Sequence, residues 1–255
     1  MEDLEVRVGK KVVKNSYVIL SLLSDSDLFD AKPGQFLMVK PPSPETLLRR
    51  PFSVFNQEGK KFEILFQICG KGTLSLSKVE EGDNLRVLGP LGNGFQFEKS
   101  GSFLLVGGGR GIAPLFFLSK VFLKEKIKFK VLYGGKTSSD LPALDYFKKE
   151  KIEPILTTED GSAGIKGLVT DPLEELIFSE NFSEIFACGP KGMMKKVFEI
   201  AKKFQIPTQF SLEERMACGF GACWGCVARI RKNNGEEWVK VCKEGPVFKG
   251  EDIVW

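Results

Sequence analysis

The 255-residue chain contains no histidine. That absence removes imidazole as a general base, Ser-His and Cys-His nucleophile pairs, and every imidazole metal ligand. Long apolar runs are missing too: none approaches the roughly eighteen residues that cross a bilayer as a helix. The opening "MEDLEVRVGKKVV" lacks the apolar core of a secretory signal, so a cytoplasmic protein is expected. No excess of one charge builds up. The 37 Lys and Arg face 33 Asp and Glu, a net +4, and the lysines are scattered, which gives nucleic-acid binding no electrostatic support. Glutamine is scarce beside abundant lysine and glutamate, a leaning of thermophilic composition. What is present, 42% hydrophobic and 27% charged residues, suffices for a sizeable core and for two domains, or two and a small appendage. With no imidazole available, the chemistry has to come from bound groups.

The grammar of the chain changes twice. Over residues 1–99, "SYVILSLL", "GQFLMVKP", "KFEILFQIC" and "DNLRVLGPLG" are short apolar or alternating runs broken by Pro, Gly and Asp. Such spacing predicts a small β-barrel, with "TLSLSKV" as its one helical stretch. Over residues 100–210, strands such as "SFLLVGGG", "FKVLYGG" and "SEIFACGP" alternate with helical segments such as "IAPLFFLSKVFLKE", "LPALDYFKKE" and "GMMKKVFEIAKKF". Alternation of this kind predicts an α/β domain on a parallel sheet. Residues 211–255 carry too little apolar content for a core of their own and are expected to fold around a ligand.

That ligand is signalled by "MACGFGACWGC". Cys218, Cys223 and Cys226 follow the spacing C-x4-C-x2-C, and Cys242 lies fifteen intervening residues further on, the pattern of a plant-type 2Fe–2S site. Gly219, Gly221, Ala222 and Gly225 keep side chains off the amides that must face the inorganic sulfides. Structural zinc is the competitor, although it usually shows two C-x2-C pairs or mixed Cys/His sets; free thiols or disulfides are the remaining alternative. Cys69 reads as a small buried hydrophobe. Cys188, in "FACGPKGMM", ends a predicted strand on the sheet edge where open α/β folds bind ligands, so a functional role stands beside the buried one.

Two further stretches have the chemistry of anion sites. In "LLVGGGRGIAPLFF" a strand runs through Gly107, Gly108, Gly109 and Gly111 into a helix, so backbone amides can approach a pyrophosphate. Ile112 stands where G-x-G-x-x-G would place its last glycine. "TEDGSAGIKGLVTD" is a second glycine-rich loop on the same edge. In the barrel, "LLRRPFSVF" offers Arg49 and Arg50 before a fixed proline, an aromatic and a serine, and "CGKGTLSLS" adds amides and the Thr73 hydroxyl ahead of a short helix.

Taken together, "RRPFS", "GKGT", "LGPLGNGF", "GGGRGIAP", "TEDGS", "CGP" and "CGFGACWGC…VCKEGPVF" resemble the ferredoxin–NAD(P) reductase superfamily. Within it, the chain is most similar to the electron-transfer subunits of class B dihydroorotate dehydrogenase, and the similarity spans essentially its whole length. The resemblance implies an FAD-binding barrel over 1–99, an NAD-binding α/β domain over 100–210 and a 2Fe–2S segment over 211–255. It implies that Arg50, Pro51, Phe52, Ser53, Leu65, Phe66 and Gln67 line FAD and that Gly72 and Thr73 hold its pyrophosphate. Gly107, Gly108, Gly109 and Gly111 with Gly189 and Pro190 would receive NAD(H), and Cys188 would serve catalysis beside the nicotinamide. Cys218, Cys223, Cys226 and Cys242 would ligate the cluster. Two positions depart from the pattern. Arg110 fills the variable place of the glycine loop where a small or aliphatic residue is expected, and Gln67 stands where related sequences carry a basic residue.

The resemblance further implies a partner, an FMN-containing dihydroorotate dehydrogenase of pyrimidine biosynthesis, in a heterotetramer. Hydride from NADH brings two electrons, a 2Fe–2S cluster takes one at a time, and flavin is the group that does both, so flavin belongs between them. Trp224, set among the ligands, is either a docking feature or a packed core residue. Three alternatives stay open: a diaphorase-like subunit of a hydrogenase or transhydrogenase complex, or one with a donor other than NAD; a stand-alone oxygenase reductase; and a non-enzymatic zinc-stapled binding module.

Overall fold

The computed structural model describes residues 2–25, 30–232 and 235–255. Six antiparallel strands close a barrel: β1 (Glu2–Lys14), β2 (Tyr17–Leu23), β3 (Phe36–Val39), β4 (Arg50–Glu58), β5 (Lys61–Gln67) and β6 (Asn84–Leu91), in the order β1-β2-β5-β4-β3-β6. The first strand shows why charge-rich sequence still forms barrel wall. Val6 and Val8 are buried while Asp3, Glu5 and Arg7 between and before them point outward, a period of two. Between β5 and β6 the chain makes helix α1 (Lys71–Ser77), and its Leu76 joins Val79 in the barrel's apolar core.

The α/β part follows with strands β7 (Ser102–Gly108), β8 (Lys128–Gly135), β9 (Ile155–Thr158), β10 (Ile165–Lys166), β11 (Glu184–Cys188) and β12 (Thr208–Ser211), and helices α2 (Ile112–Glu125), α3 (Leu144–Lys149), α4 (Leu173–Ser179) and α5 (Lys191–Lys203). Alternate residues of β7 face opposite helix layers. Phe103 and Leu105 pack in the cluster of Leu115, Phe116 and Phe122 from α2, and Leu104 and Val106 in that of Leu173 from α4 and Val197 from α5. The continuous apolar run "FLLV" is what a strand covered on both faces requires.

The remaining chain forms a hairpin, β13 (Val227–Lys232) with β14 (Gly235–Lys240), then α6 (Val241–Glu244) and β15 (Val247–Lys249). The last strand pairs antiparallel with β12, so the sheet runs β10-β9-β8-β7-β11-β12-β15. The cysteine-bearing segment divides its apolar residues between its neighbours. Ile230, Val239 and Ile253 join the core of the sheet, and Cys226, Val241 and Cys242 pack with Phe36, Met38 and Leu91 of the barrel.

Barrel and sheet are joined by aromatic packing. Phe55 of β4 stacks on Phe116 of α2 with ring centroids 4.5 Å apart, and Phe117 of α2 is buried in the barrel core. From β7 the chain steps to β8 and β9 on one side and later to β11 and β12 on the other. The carboxyl end of β7 is therefore the point where the strand order reverses, and the glycines 107–111 occupy it.

Candidate functional site: two adjoining clefts and a cysteine loop

A cleft of about 800 Å3 lies against the barrel. Arg50, Pro51, Phe52 and Ser53 of β4, Leu65, Phe66 and Gln67 of β5, and Thr73 of α1 all line it. The paired arginines have separate fates. Arg49 grips both carboxylate oxygens of Asp3 at 2.9 Å and is committed to the barrel wall, whereas Arg50 faces the cleft and donates to the Leu48 carbonyl at 2.8 Å. Gly72 does not line the cleft; it makes room for Arg50, since a Cβ there would stand 2.9 Å from Arg50 Nε. The Thr73 hydroxyl accepts from the amides of Cys69 (2.9 Å) and Gly70 (3.2 Å) and donates to the Gly70 carbonyl (3.1 Å). It shapes the loop from within. Cys69, expected to be buried, is exposed and lines the cleft, because the chain leaves β5 before it and the barrel core ends at Phe66 and Ile68.

A second cleft of about 620 Å3 opens at the carboxyl edge of the sheet. Gly108, Gly109 and Gly111 line it together with Gly189 and Pro190, and the barrel contributes Tyr17, whose hydroxyl donates to Asp140 Oδ1 at 2.9 Å. Gly107 sits buried behind this surface, against Ile112. Gly111 permits the closest approach in the loop: a Cβ there would collide with the Cys188 carbonyl. Cys188 itself is 1% exposed and lines neither cleft. Burial, helped by the negative charge of Glu213, pushes its thiol well above the usual range against a hydrogen bond from Ser211.

Three residues line both clefts: Gln67, Arg110 and Glu213. They are bonded to one another. Arg110 Nη1 donates to Gln67 Oε1 at 3.4 Å and Arg110 Nη2 to Glu213 Oε2 at 3.2 Å, while Gln67 Nε2 donates to Ser16 Oγ at 3.3 Å. Glu213 raises the guanidinium's pKa further, so this cation is permanent. The two positions that depart from the superfamily pattern thus meet. Tyr17 and Glu213 belong to the same boundary but sit in no motif; only the apolar run of β2 and the run "SLEERM" mark their places.

Arg215 and Met216 line the first cleft and lead directly into the cysteine loop. There the sulfurs fall into two pairs. Cys218 Sγ lies 3.3 Å from Cys223 Sγ, and Cys226 Sγ accepts the Cys242 amide at 3.4 Å. Burial would raise the Cys218 thiol, yet the amides of Cys223, Phe220 and Ala222 converge on its sulfur and bring it down to about 6. Cys242 is pushed up to about 12 by burial and by Cys226. Among the described residues no three His, Cys, Asp or Glu side chains gather as one metal ion would need. A two-plus-two arrangement of thiols suits a pair of irons better than a single tetrahedral zinc. Gly219 enforces the loop path, with φ +82° and no space for a Cβ against Met38 of β3. Trp224 is 62% exposed, with Lys240 Nζ 4.6 Å from its ring, so it is a surface residue and not core. No helix among the described residues is long and apolar enough to cross a membrane.

Comparison with known proteins places these features. Residues 213–254 match the iron-sulfur cluster binding domain of dihydroorotate dehydrogenase B, and residues 105–199 match the oxidoreductase NAD-binding domain. A dihydroorotate dehydrogenase B (NAD(+)) electron transfer subunit from Caldanaerobacter subterraneus subsp. tengcongensis is 43% identical over 227 residues, covering 88% of this chain and 87% of that protein. A solved NADH-dependent reduced ferredoxin-NADP oxidoreductase, described for flavin-based electron bifurcation, superposes with a TM-score of 0.87 at 33% identity, covering 98% of this chain and 90% of that one. The FAD/NAD-binding domain of a Vibrio cholerae nitric oxide dioxygenase shares the fold, with a TM-score of 0.70 at 19% identity over 81% of this chain and 95% of that one. A flavin and nicotinamide reductase architecture carrying a 2Fe–2S segment, with relatives of this identity along nearly the full length, leads to one assignment: the chain belongs to the family of dihydroorotate dehydrogenase B electron transfer subunits.

Proposed function

We propose that this chain carries electrons between NAD and an FMN-containing dihydroorotate dehydrogenase in pyrimidine biosynthesis, using FAD in the first cleft, NAD(H) in the second and a 2Fe–2S cluster on Cys218, Cys223, Cys226 and Cys242. The observation that carries this reading is the adjacency of the three places. Gln67, Arg110 and Glu213 form a wall common to both clefts, and Arg215 and Met216 continue from the first cleft to the cysteine loop. When bound, FAD supplies the exchange between hydride and single electrons.

The chain's own residues do the rest. Arg50 presents a cation to the phosphates of FAD from a position that Gly72 keeps open, and Phe52 and Phe66 form an apolar wall of the same cleft, their ring centroids 5.2 Å apart. Gly108, Gly109 and Gly111 with Gly189 and Pro190 leave backbone free to approach a dinucleotide. Cys188 acts as a support for that loop: its carbonyl stands against Gly111 and its neutral thiol against Ser211. The units of function divide near residues 99 and 210, with β15 returning from the third to complete the sheet of the second. Trp224 and the cluster loop form the outlet side, in a heterotetramer with the catalytic partner.

Anaerobic mixing with NADH is the test. Bleaching of the flavin followed by loss of oxidised iron–sulfur absorbance supports the reading, and intact FAD and cluster that stay oxidised overturn it. A second reading has a specific support in the 0.87 TM-score neighbour: a subunit of a transhydrogenase-type complex. Co-purification separates the two. A partner that reduces the complex with dihydroorotate supports the first, and one that responds only to NADPH or reduced ferredoxin supports the second.

A further inference from the structure

The common wall of the two clefts has a charge chemistry that the electron-transfer role does not by itself require. Hydride transfer brings the nicotinamide to the flavin, and the residues standing where the clefts meet are Gln67, Arg110 and Glu213. The reacting ring changes charge in the reaction. Oxidised nicotinamide is a pyridinium cation, and reduced nicotinamide is neutral. A fixed cation and a fixed anion at that place therefore treat the two oxidation states differently, while the rest of the dinucleotide is the same in both.

We infer that the Arg110–Glu213 pair is a specificity element that sets the relative affinity for the oxidised and reduced forms of the nicotinamide nucleotide, Arg110 disfavouring the pyridinium and Glu213 favouring it. This inference rests on the proposed occupancy of the two clefts. Three features of the structure support it. Each partner is about half exposed, with side-chain exposures of 50% and 46%, so both are available to a ring entering the cleft and not sealed in a core. The pair is held by one contact at 3.2 Å and a weaker one from Arg110 to Gln67 at 3.4 Å, so each charge projects a field of its own and the two do not merge into a bidentate neutral unit. The second cleft's other acids are Glu159 and Asp140, and Asp140 is already engaged by the Tyr17 hydroxyl and the Thr137 amide.

The test is binding, measured on the FAD- and cluster-loaded protein by calorimetry. The ligands are NAD+ and tetrahydro-NADH, a neutral analogue that cannot give up hydride. Arg110→Gln should tighten NAD+ relative to the analogue by about fivefold, the effect of one partly screened charge. Glu213→Gln should shift the ratio about fivefold the other way, and the double variant should return it close to that of the natural chain. Equal changes in both affinities, or shifts of the same sign in the two single variants, overturn the inference and leave the proposed function standing. Absence of binding of either nucleotide to the natural chain, with FAD retained, overturns the occupancy of the second cleft and the inference with it.

Discussion

Arg50 and Gly72 act as one device, although they lie on different elements. The guanidinium can lie over the start of α1 because position 72 has no Cβ, and the nearest guanidinium atom would be only 2.9 Å from one. Arg50→Ala removes the cation proposed to meet the FAD phosphates and should weaken FAD binding by about tenfold or more. Gly72→Ala should weaken it by less, about threefold, because the flexible arginine can move aside. Flavin-to-protein ratios after dialysis, with melting temperatures of the FAD-free proteins alongside, read both effects. Unchanged retention in Arg50→Ala would remove the arginine from the flavin site. Cysteines of one chemistry also differ by position. Cys69 is exposed in the first cleft, and Cys188 is 1% exposed with its thiol held neutral. Alkylation of the native FAD-free protein should therefore modify Cys69 and spare Cys188, and FAD should protect Cys69. Peptide mass spectrometry checks the pattern, and fast labelling of Cys188 would contradict its role as a buried support.

At the scale of the element, the cysteine loop behaves as a separable part hung on two scaffolds. Its pairs, Cys218 with Cys223 and Cys226 with Cys242, are oriented by amides of the loop and not by the first cleft. Cys223→Ser should abolish the iron–sulfur absorbance while leaving flavin content and NADH bleaching within about twofold, since no residue between 217 and 226 lines the first cleft. Loss of FAD in that variant would show that the loop holds up the cleft. The loop was legible in advance because ligand spacing and small residues are local properties. Strands β2, β3, β5 and β6 were legible for the same reason, each being a short apolar run with a turn signal. Strands β1 and β4 were not. The outward charges of Asp3, Glu5 and Arg7 dilute the alternation of Val6 and Val8, and Pro51, the second residue of β4, is of a type that rarely sits in strands. Gln67 and Arg110 were each marked by their motifs, but nothing local joined them to each other or to Glu213. The three are far apart in sequence, and only the docking of barrel on sheet through Phe55 and Phe116 brings them together.

That docking gives the whole molecule a pH response of one kind. The chain has three tyrosines and no histidine, so imidazole adds nothing near neutrality. All three phenols are raised. Tyr17 is raised by burial and by its bond to Asp140, Tyr133 by complete burial, and Tyr146 is pushed up to about 12 by burial and by the charges of Glu63 and Asp145. Tyr17 and Tyr146 also lie in the seam, the first reaching from the barrel to Asp140 and the second set edge-on to Phe55 at 5.1 Å. The sign follows from linkage: a folded-state pKa above the unfolded value of 10 contributes stability that is complete below pH 10 and is lost as pH climbs toward the folded values. Phenolate should then appear cooperatively, together with loss of the fold, and not as an ordinary titration centred near 10. Absorbance of the phenolate followed in parallel with far-ultraviolet circular dichroism tests this, and independent ionisation of two tyrosines in the folded protein would refute it. Tyr17→Phe should move that alkaline transition upward, because one group no longer ionises on unfolding. At neutral pH it should cost about 1 kcal/mol for the lost hydrogen bond across the seam. Opposite effects in the two pH ranges from one substitution would show that the Tyr17–Asp140 contact adds to the aromatic packing in coupling barrel to sheet.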